Sequence, residues 1–274
     1  MGIFKDKIAI VTGSASGIGR AVSEGLAAAG ARVLMADVNE TLLKEAVAAI
    51  VKSGFSAQAA PLDVREFSAV KKLVDDTVAE RGRLDYLFNN AGISIMGEAQ
   101  LFDYGDWKDL LEVNLIGVVN GVHAAYPIMV KQGFGHIVNT GSLAGLIPTP
   151  GEVSYVASKY AVVGLSNALR IEGRDLGVKV SVVCPGLIDT PIKDNNKLIN
   201  MDRAKVMHLV PKMMPAQECA KIILRGVEKN QAIILVTGLT KLFWALQRIS
   251  PALVRYIWLR NMRTFRDLVK PTSR

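Results

Sequence analysis

The chain has 274 residues, half of them hydrophobic, a formal net charge of +8 and two cysteines, Cys184 and Cys219. That apolar fraction suffices for one large core and excludes a disordered chain. Two cysteines are too few for a disulfide scaffold or a metal knuckle, which makes a reducing cytoplasm the expected setting. The charge is uneven, with +7 of it in residues 241–274. A nearly neutral body without a nucleic-acid motif excludes a general nucleic-acid surface.

The sequence enters a strand at 7–11 with no apolar leader before it. From there apolar runs alternate with helical patterns, the signature of βαβ units and a parallel sheet covered on both faces. Strands are predicted at 31–36, 57–60, 84–88, 134–140, 178–183 and 232–236. Helices are predicted at 20–29, 39–53, 67–81, 107–131, from Tyr155 to about Asp175, and 216–229. Residues 187–215 mix methionines and other apolar residues with Asp, Asn and Lys, which suits either a mobile lid or helices packed on the body. No repeat or linker interrupts this order, so we expect one doubly wound domain over 1–238 and a helical tail over 239–274.

Between the first strand and the first helix lies Thr12-Gly13-Ser14-Ala15-Ser16-Gly17-Ile18-Gly19, and the second strand ends at Asp37. Glycines let the backbone approach a pyrophosphate, a helix N-terminus stabilises its charge, and a carboxylate there accepts hydrogen bonds from a ribose. The spacing is G-x-x-x-G-x-G instead of the G-x-G-x-x-G of the standard dinucleotide fingerprint. Asp37 also repels a 2′-phosphate, and neither Ser16 nor Val38 supplies a compensating positive charge. NAD is therefore the expected cofactor rather than NADP, with Arg20 the one nearby cation that could spoil the argument. Asp63 and Asn89-Asn90-Ala91-Gly92 follow the third and fourth strands, on the same predicted edge of the sheet, although Asp and Asn favour such loops in any case.

Tyr155 and Lys159 stand four residues apart, on one face of a predicted helix. A phenol beside a fixed cation is a usable acid and base for alcohol and ketone chemistry, because the charge favours the phenolate. Alone, the spacing also fits an exposed helical pair. The three histidines, His123, His136 and His208, have no metal-ligand spacing, and no metal is expected.

Taken together, the Thr12 to Gly19 turn, Asn89-Asn-Ala-Gly92, Asn114, Ser142, Tyr155-x-x-x-Lys159 and Pro185-Gly186 resemble the short-chain dehydrogenase/reductase family. The resemblance covers residues 5 to about 236. It implies a Rossmann-like three-layer fold with Tyr155 as acid/base, Lys159 lowering its pKa and binding the nicotinamide ribose, Ser142 on the substrate oxygen, and Asn114 holding a relay water. It also implies that Asp63 and Val64 contact adenine, that Asn90 and Gly92 line the cofactor, and that Ile188 and Thr190 hold the carboxamide. The implied reaction interconverts a hydrophobic secondary alcohol and its ketone, with steroid-like and lipidic skeletons among the candidates, in a homo-oligomer. The alternatives are a 3-oxoacyl-thioester reductase using NADPH, which Asp37 disfavours, and a dinucleotide-binding scaffold without turnover, which has no need of Tyr155.

The tail departs from the family's short glycine-rich end. On a single helical wheel Arg248, Arg255, Arg263, Arg266 and Lys270 gather on one arc, opposite Leu253, Val254, Ile257, Trp258, Met262, Phe265 and Leu268. Arginines interrupt the apolar run too often for a span. Such a helix either lies in a membrane interface or packs its apolar face on the body or a second subunit.

Overall fold

All five residues of the first strand, β1 (Ile8–Thr12), are buried, because both of its faces are covered. Ile8 and Ile10 face one helical layer while Ala9 and Val11 face the other, the period of two that a pleated strand imposes. The computed structural model describes residues 2–209 and 212–267, apart from the side chains of Leu209 and Arg263. β1 is joined by β2 (Arg32–Asp37), β3 (Ala57–Pro61), β4 (Tyr86–Asn89), β5 (Gly135–Thr140), β6 (Val178–Cys184) and β7 (Ile233–Leu235) in one seven-stranded sheet. Every pairing in it is parallel, in the order β7-β6-β5-β4-β1-β2-β3. The order reverses between β1 and β4, which opens a crevice beyond their carboxyl ends.

The helices are α1 (Gly17–Ala28), α2 (Glu40–Lys52), α3 (Phe67–Arg81), α4 (Tyr104–Leu111), α5 (Gly117–Gln132), α6 (Val153–Gly173), α7 (Ala216–Glu228), α8 (Gly238–Ile249) and α9 (Pro251–Arg266), with shorter helices at Ile192–Asn195 and Arg203–Leu209. Leu26 of α1, Leu43 of α2 and Ile223 of α7 pack with Val11, Met35 and Phe88 on one face. Val74 of α3 and Met129 of α5 pack with Ile10, Leu87 and Ile137 on the other. The result is a three-layer Rossmann-like fold, as the alternating pattern predicts.

Three local features differ from the sequence expectation. The helix expected at 107–131 starts earlier, at Tyr104, where Asp103 and Asp106 form a reciprocal capping box, and it opens into a π-turn at Glu112–Ile116. Asn114 sits in that turn. Residues 187–215 form two short helices and two-residue strand pairings of Ile95–Met96 with Lys197–Leu198 and of Ile188–Asp189 with Met214–Pro215.

The described part of the tail is two helices instead of one continuous one. Pro251 has no N–H with which to extend the ladder of α8, so it occupies the first position of α9. The break separates Arg248 from Arg255 and Arg266, and the single basic arc does not exist; Leu268 and Lys270 lie outside the described residues. Packing on the body is observed. Val254 is fully buried in a cluster with Leu146, Ile147, Val162 and Val163, and Phe243, Trp244, Leu246 and Trp258 pack around it. Gly151 leaves room for the Phe265 ring, which a Cβ would meet at 2.3 Å. Arg266 Nε reaches Glu98 Oε1 at 3.1 Å.

Candidate active site

The register brings Thr12 level with Ala36, Asn89 level with Asn139 and Thr140 level with Val183, so the loops after these strands meet at one edge. Gly13 and Gly17 adopt φ of +62° and +55°, the left-handed region where a side chain is strained. A Cβ on Gly19 would lie 2.1 Å from the Gly13 carbonyl oxygen. The turn is locked to its neighbour. Thr12 Oγ1 accepts from the backbone N–H of Asn90 (3.0 Å) and Ala91 (3.1 Å), and Asn90 Nδ2 donates to the carbonyls of Thr12 and Gly13, both at 3.1 Å. Ser16 precedes α1 without a side-chain cap bond, so the first N–H groups of the helix remain available to an anion.

Asp37 completes this end of the site. Its carboxylate accepts from Ala15 N and Asn39 N, each at 2.9 Å, which fixes it beside the turn. The cation that could have undermined the charge argument is engaged elsewhere: Arg20 Nε pairs with Glu24 Oε1 at 2.9 Å within α1. Asp63 faces the same cavity, but Arg65 grips its carboxylate at 2.6 Å and holds its pKa below the ordinary carboxylate value. Arg65 also lines the cavity, a cation that no motif announced.

Lys159 is almost wholly buried. Its ammonium donates to the Thr140 carbonyl at 2.9 Å and lies 5.5 Å from the centroid of the Tyr155 ring, so the two side chains do project together. Burial draws the Lys159 pKa down to about 8. The phenol is expected to be brought towards working pH, yet its pKa lies above the ordinary value: burial raises it, Glu152 adds to the rise, and a hydrogen bond with Ser142 opposes it. Taking the phenolate out of water disfavours it. Ser142 Oγ also accepts from Ala144 N at 3.1 Å, which holds the hydroxyl at the end of β5.

These groups border one cavity of about 720 Å³. Gly13, Ser16, Gly17, Ile18, Asp37, Asp63, Val64, Asn90, Ala91 and Gly92 line one end, and Ser142, Tyr155, Lys159, Pro185, Gly186, Ile188 and Thr190 line the middle. Two expected residues stand behind the wall. Gly19 serves the close packing of the turn, and Asn114 is fully buried, with Oδ1 accepting from Ile93 N (2.8 Å) and Nδ2 donating to Ile93 O (2.9 Å). The far wall is apolar, built from Leu143, Ile147, Leu187, Leu239, Phe243 and Trp258, so the tail helices supply part of the chamber. Glu152 also lines it, and burial pushes its carboxyl up to about 7. Its position three residues before Tyr155, on the same helical face, is a signal that the sequence carries; nothing local in the sequence tells that Phe243 and Trp258 turn inward.

The sequence model described as short chain dehydrogenase matches residues 7–199. The chain belongs to the short-chain dehydrogenase family. Relatives of this dehydrogenase include SadH of Mycobacterium tuberculosis, named as an oxidoreductase, 36% identical over 248 residues that cover 86% of this chain and 88% of SadH. The 3-oxoacyl-[acyl-carrier-protein] reductase FabG of Thermotoga maritima is 34% identical, with 80% and 89% covered, and the cyclohexanol dehydrogenase of an Acinetobacter species is 33% identical, with 80% and 87% covered. Among solved structures, a short-chain dehydrogenase/reductase from Burkholderia phymatum in complex with NAD superposes with a TM-score of 0.83 at 29% identity, covering 99% of both chains. A metagenomic short-chain oxidoreductase in complex with NADP gives 0.71 at 27% identity, covering 85% of this chain and 98% of the other. The dehydrogenase is thus an oxidoreductase of a family that uses nicotinamide dinucleotides, and its glycine cradle and Asp37 fit such a group.

Proposed function

We propose that this dehydrogenase uses NAD to interconvert a hydrophobic secondary alcohol and its ketone. The observation that carries the reading is that Ser142, Tyr155 and Lys159 line one cavity together with the glycine turn and Asp37 and with the apolar side chains Leu143, Ile147, Phe243 and Trp258. Bound NAD supplies the hydride acceptor, and reduced NAD the donor. The chain's own residues do the rest. The apolar wall excludes water and orients the carbon skeleton. Ser142, which lines the cavity with Tyr155, is placed to donate to the substrate oxygen. As phenolate, Tyr155 takes the hydroxyl proton in oxidation, and as phenol it gives that proton to the carbonyl oxygen in reduction; the Lys159 ammonium beside its ring favours the phenolate that starts the one and ends the other.

The preference for NAD rests on Asp37, whose carboxylate faces the cavity while Val38 beside it carries no charge. Arg65 is the counterweight, and Asp63 holds it. A turnover screen of medium-chain secondary alcohols, steroids and retinol with NAD and NADP, followed by the appearance of reduced cofactor, tests the proposal. The expected result is oxidation of an apolar secondary alcohol with NAD favoured. Reduction of 3-oxoacyl thioesters with NADPH alone would make the chain a thioester reductase, and tight dinucleotide binding without turnover would make it a scaffold.

A further inference from the structure

The outward face of α8 and α9 has an unusual composition. From Leu239 to Arg266 the sequence has no acidic residue, while Lys241, Arg248, Arg255 and Arg260 are exposed, and Arg266, also exposed, pairs with Glu98. Large apolar side chains stand among them in solvent: Ile249 is 82% exposed and Leu259 70%, and Leu242, Leu253 and Tyr256 are exposed as well. These are separate from the residues that pack, since Val254 is buried and Phe243 and Trp258 line the cavity.

A helix that only faces water is served by polar residues of either sign. Aliphatic side chains interspersed with cations, with a tyrosine between them, suit the boundary between headgroups and acyl chains, where leucines enter the apolar layer and arginines meet phosphates. A second copy of the chain fits less well. A two-fold contact through this face would set its arginines against the same arginines of the other copy, whereas interface cores are depleted of charge. Spanning is not the mode. Among the described residues the one helical stretch long and apolar enough to cross a bilayer is Tyr104–Gln132, and it is built into the fold around Asn114.

We propose that the exposed face of α8 and α9 docks the protein peripherally on an anionic bilayer surface. Because the inner face of the same two helices walls the cavity, docking sets the chamber one helix diameter, roughly 10 Å, from the lipid. The inference does not depend on the substrate or on the choice of cofactor.

Co-sedimentation of the full-length protein with vesicles tests it. The protein should pellet with phosphatidylglycerol-containing vesicles at low salt and at least tenfold less with pure phosphatidylcholine vesicles, and high salt should release it by screening. Arg255→Glu with Arg260→Glu should reduce the partition at least tenfold, and Leu253→Ser with Leu259→Ser should also weaken it. All four side chains are exposed, so circular dichroism and Tm should stay at the parent's values. Protein that remains in the supernatant at low salt, or that binds both vesicle types equally, overturns the proposal. So does an oligomer that the arginine variant dissociates, which would make this face a subunit contact.

Discussion

Glu152 stands one helical turn before Tyr155, at the start of α6, and both side chains face the same cavity. Each is half-buried, and the lost hydration makes each hold its proton to higher pH than usual; a charge on Glu152 raises the Tyr155 pKa further. Thr149 Oγ1 is the hydrogen-bond partner of the Glu152 carboxyl, at a long 3.4 Å.

This pairing predicts a shifted pH profile. With the Glu152 pKa at about 7, the carboxyl becomes charged across the neutral range and then opposes the phenolate. Glu152→Gln removes that charge, so the acidic limb of kcat/KM for alcohol oxidation should move to lower pH. The stability effect has a defined sign. The folded-state pKa is raised, the folded chain binds more protons than the unfolded chain between the two values, and stability falls as pH rises from 4.5 to about 7. Glu152→Gln should therefore raise Tm at pH 8 and leave it nearly unchanged at pH 4; an equal change at both would refute the assignment.

His136 predicts the opposite slope. Burial, with Lys179 and Arg170 nearby, pushes its pKa down to about 3, and its Nε2 shares a 2.9 Å hydrogen bond with Ser181. The unfolded chain binds this proton below about 6.5 while the folded chain does not, so stability is lost as pH falls from there. By pH 5 the loss is about 2 kcal/mol, from 1.36 kcal/mol per unit. Urea unfolding of the parent and of His136→Gln at pH 7.5 and pH 5 measures it; the variant should show the shallower dependence.

Tyr155→Phe keeps the ring and removes the exchangeable proton. We expect kcat to fall about a hundredfold or more, the range that general acid/base groups supply, with NAD affinity nearly unchanged by fluorescence titration. Near-normal turnover in this variant would rule out the proposed proton path.

Cofactor preference should move with Asp37. Asp37→Ala combined with Val38→Arg removes the carboxylate at the cavity and adds a guanidinium able to grip a phosphate, so the ratio of kcat/KM for NADP to that for NAD should rise at least tenfold. Tighter binding of NADP than of NAD by the unmutated protein would overturn the charge argument.

Residue order alone determined the layered parallel sheet and most of the site, because both depend on short-range rules. Strands buried on both faces read as apolar runs, loops at their carboxyl ends fall on one edge, and a residue pair four apart shares a helix face whatever surrounds it. Gly13, Gly17, Asp37, Asn90, Tyr155 and Lys159 are legible as candidates in that way, whereas Ser142 is marked by the resemblance. The break at Ser250 and Pro251 was legible too, since a proline cannot continue a helix, but a wheel drawn across it merged two helices into one. Tertiary structure alone decided what depends on packing between distant segments. It determined that Asn114 turns its amide onto Ile93 behind the cavity wall, that Arg65 is tied to Asp63, and that burial raises the pKa of the Tyr155 hydroxyl. It also gave the two tail helices their two faces, with Phe243, Val254 and Trp258 turned in over the chamber and Leu253, Tyr256 and Leu259 left outside. Periodicity marks which residues share a face, whereas the surface each face meets is set by the shape of the rest of the chain.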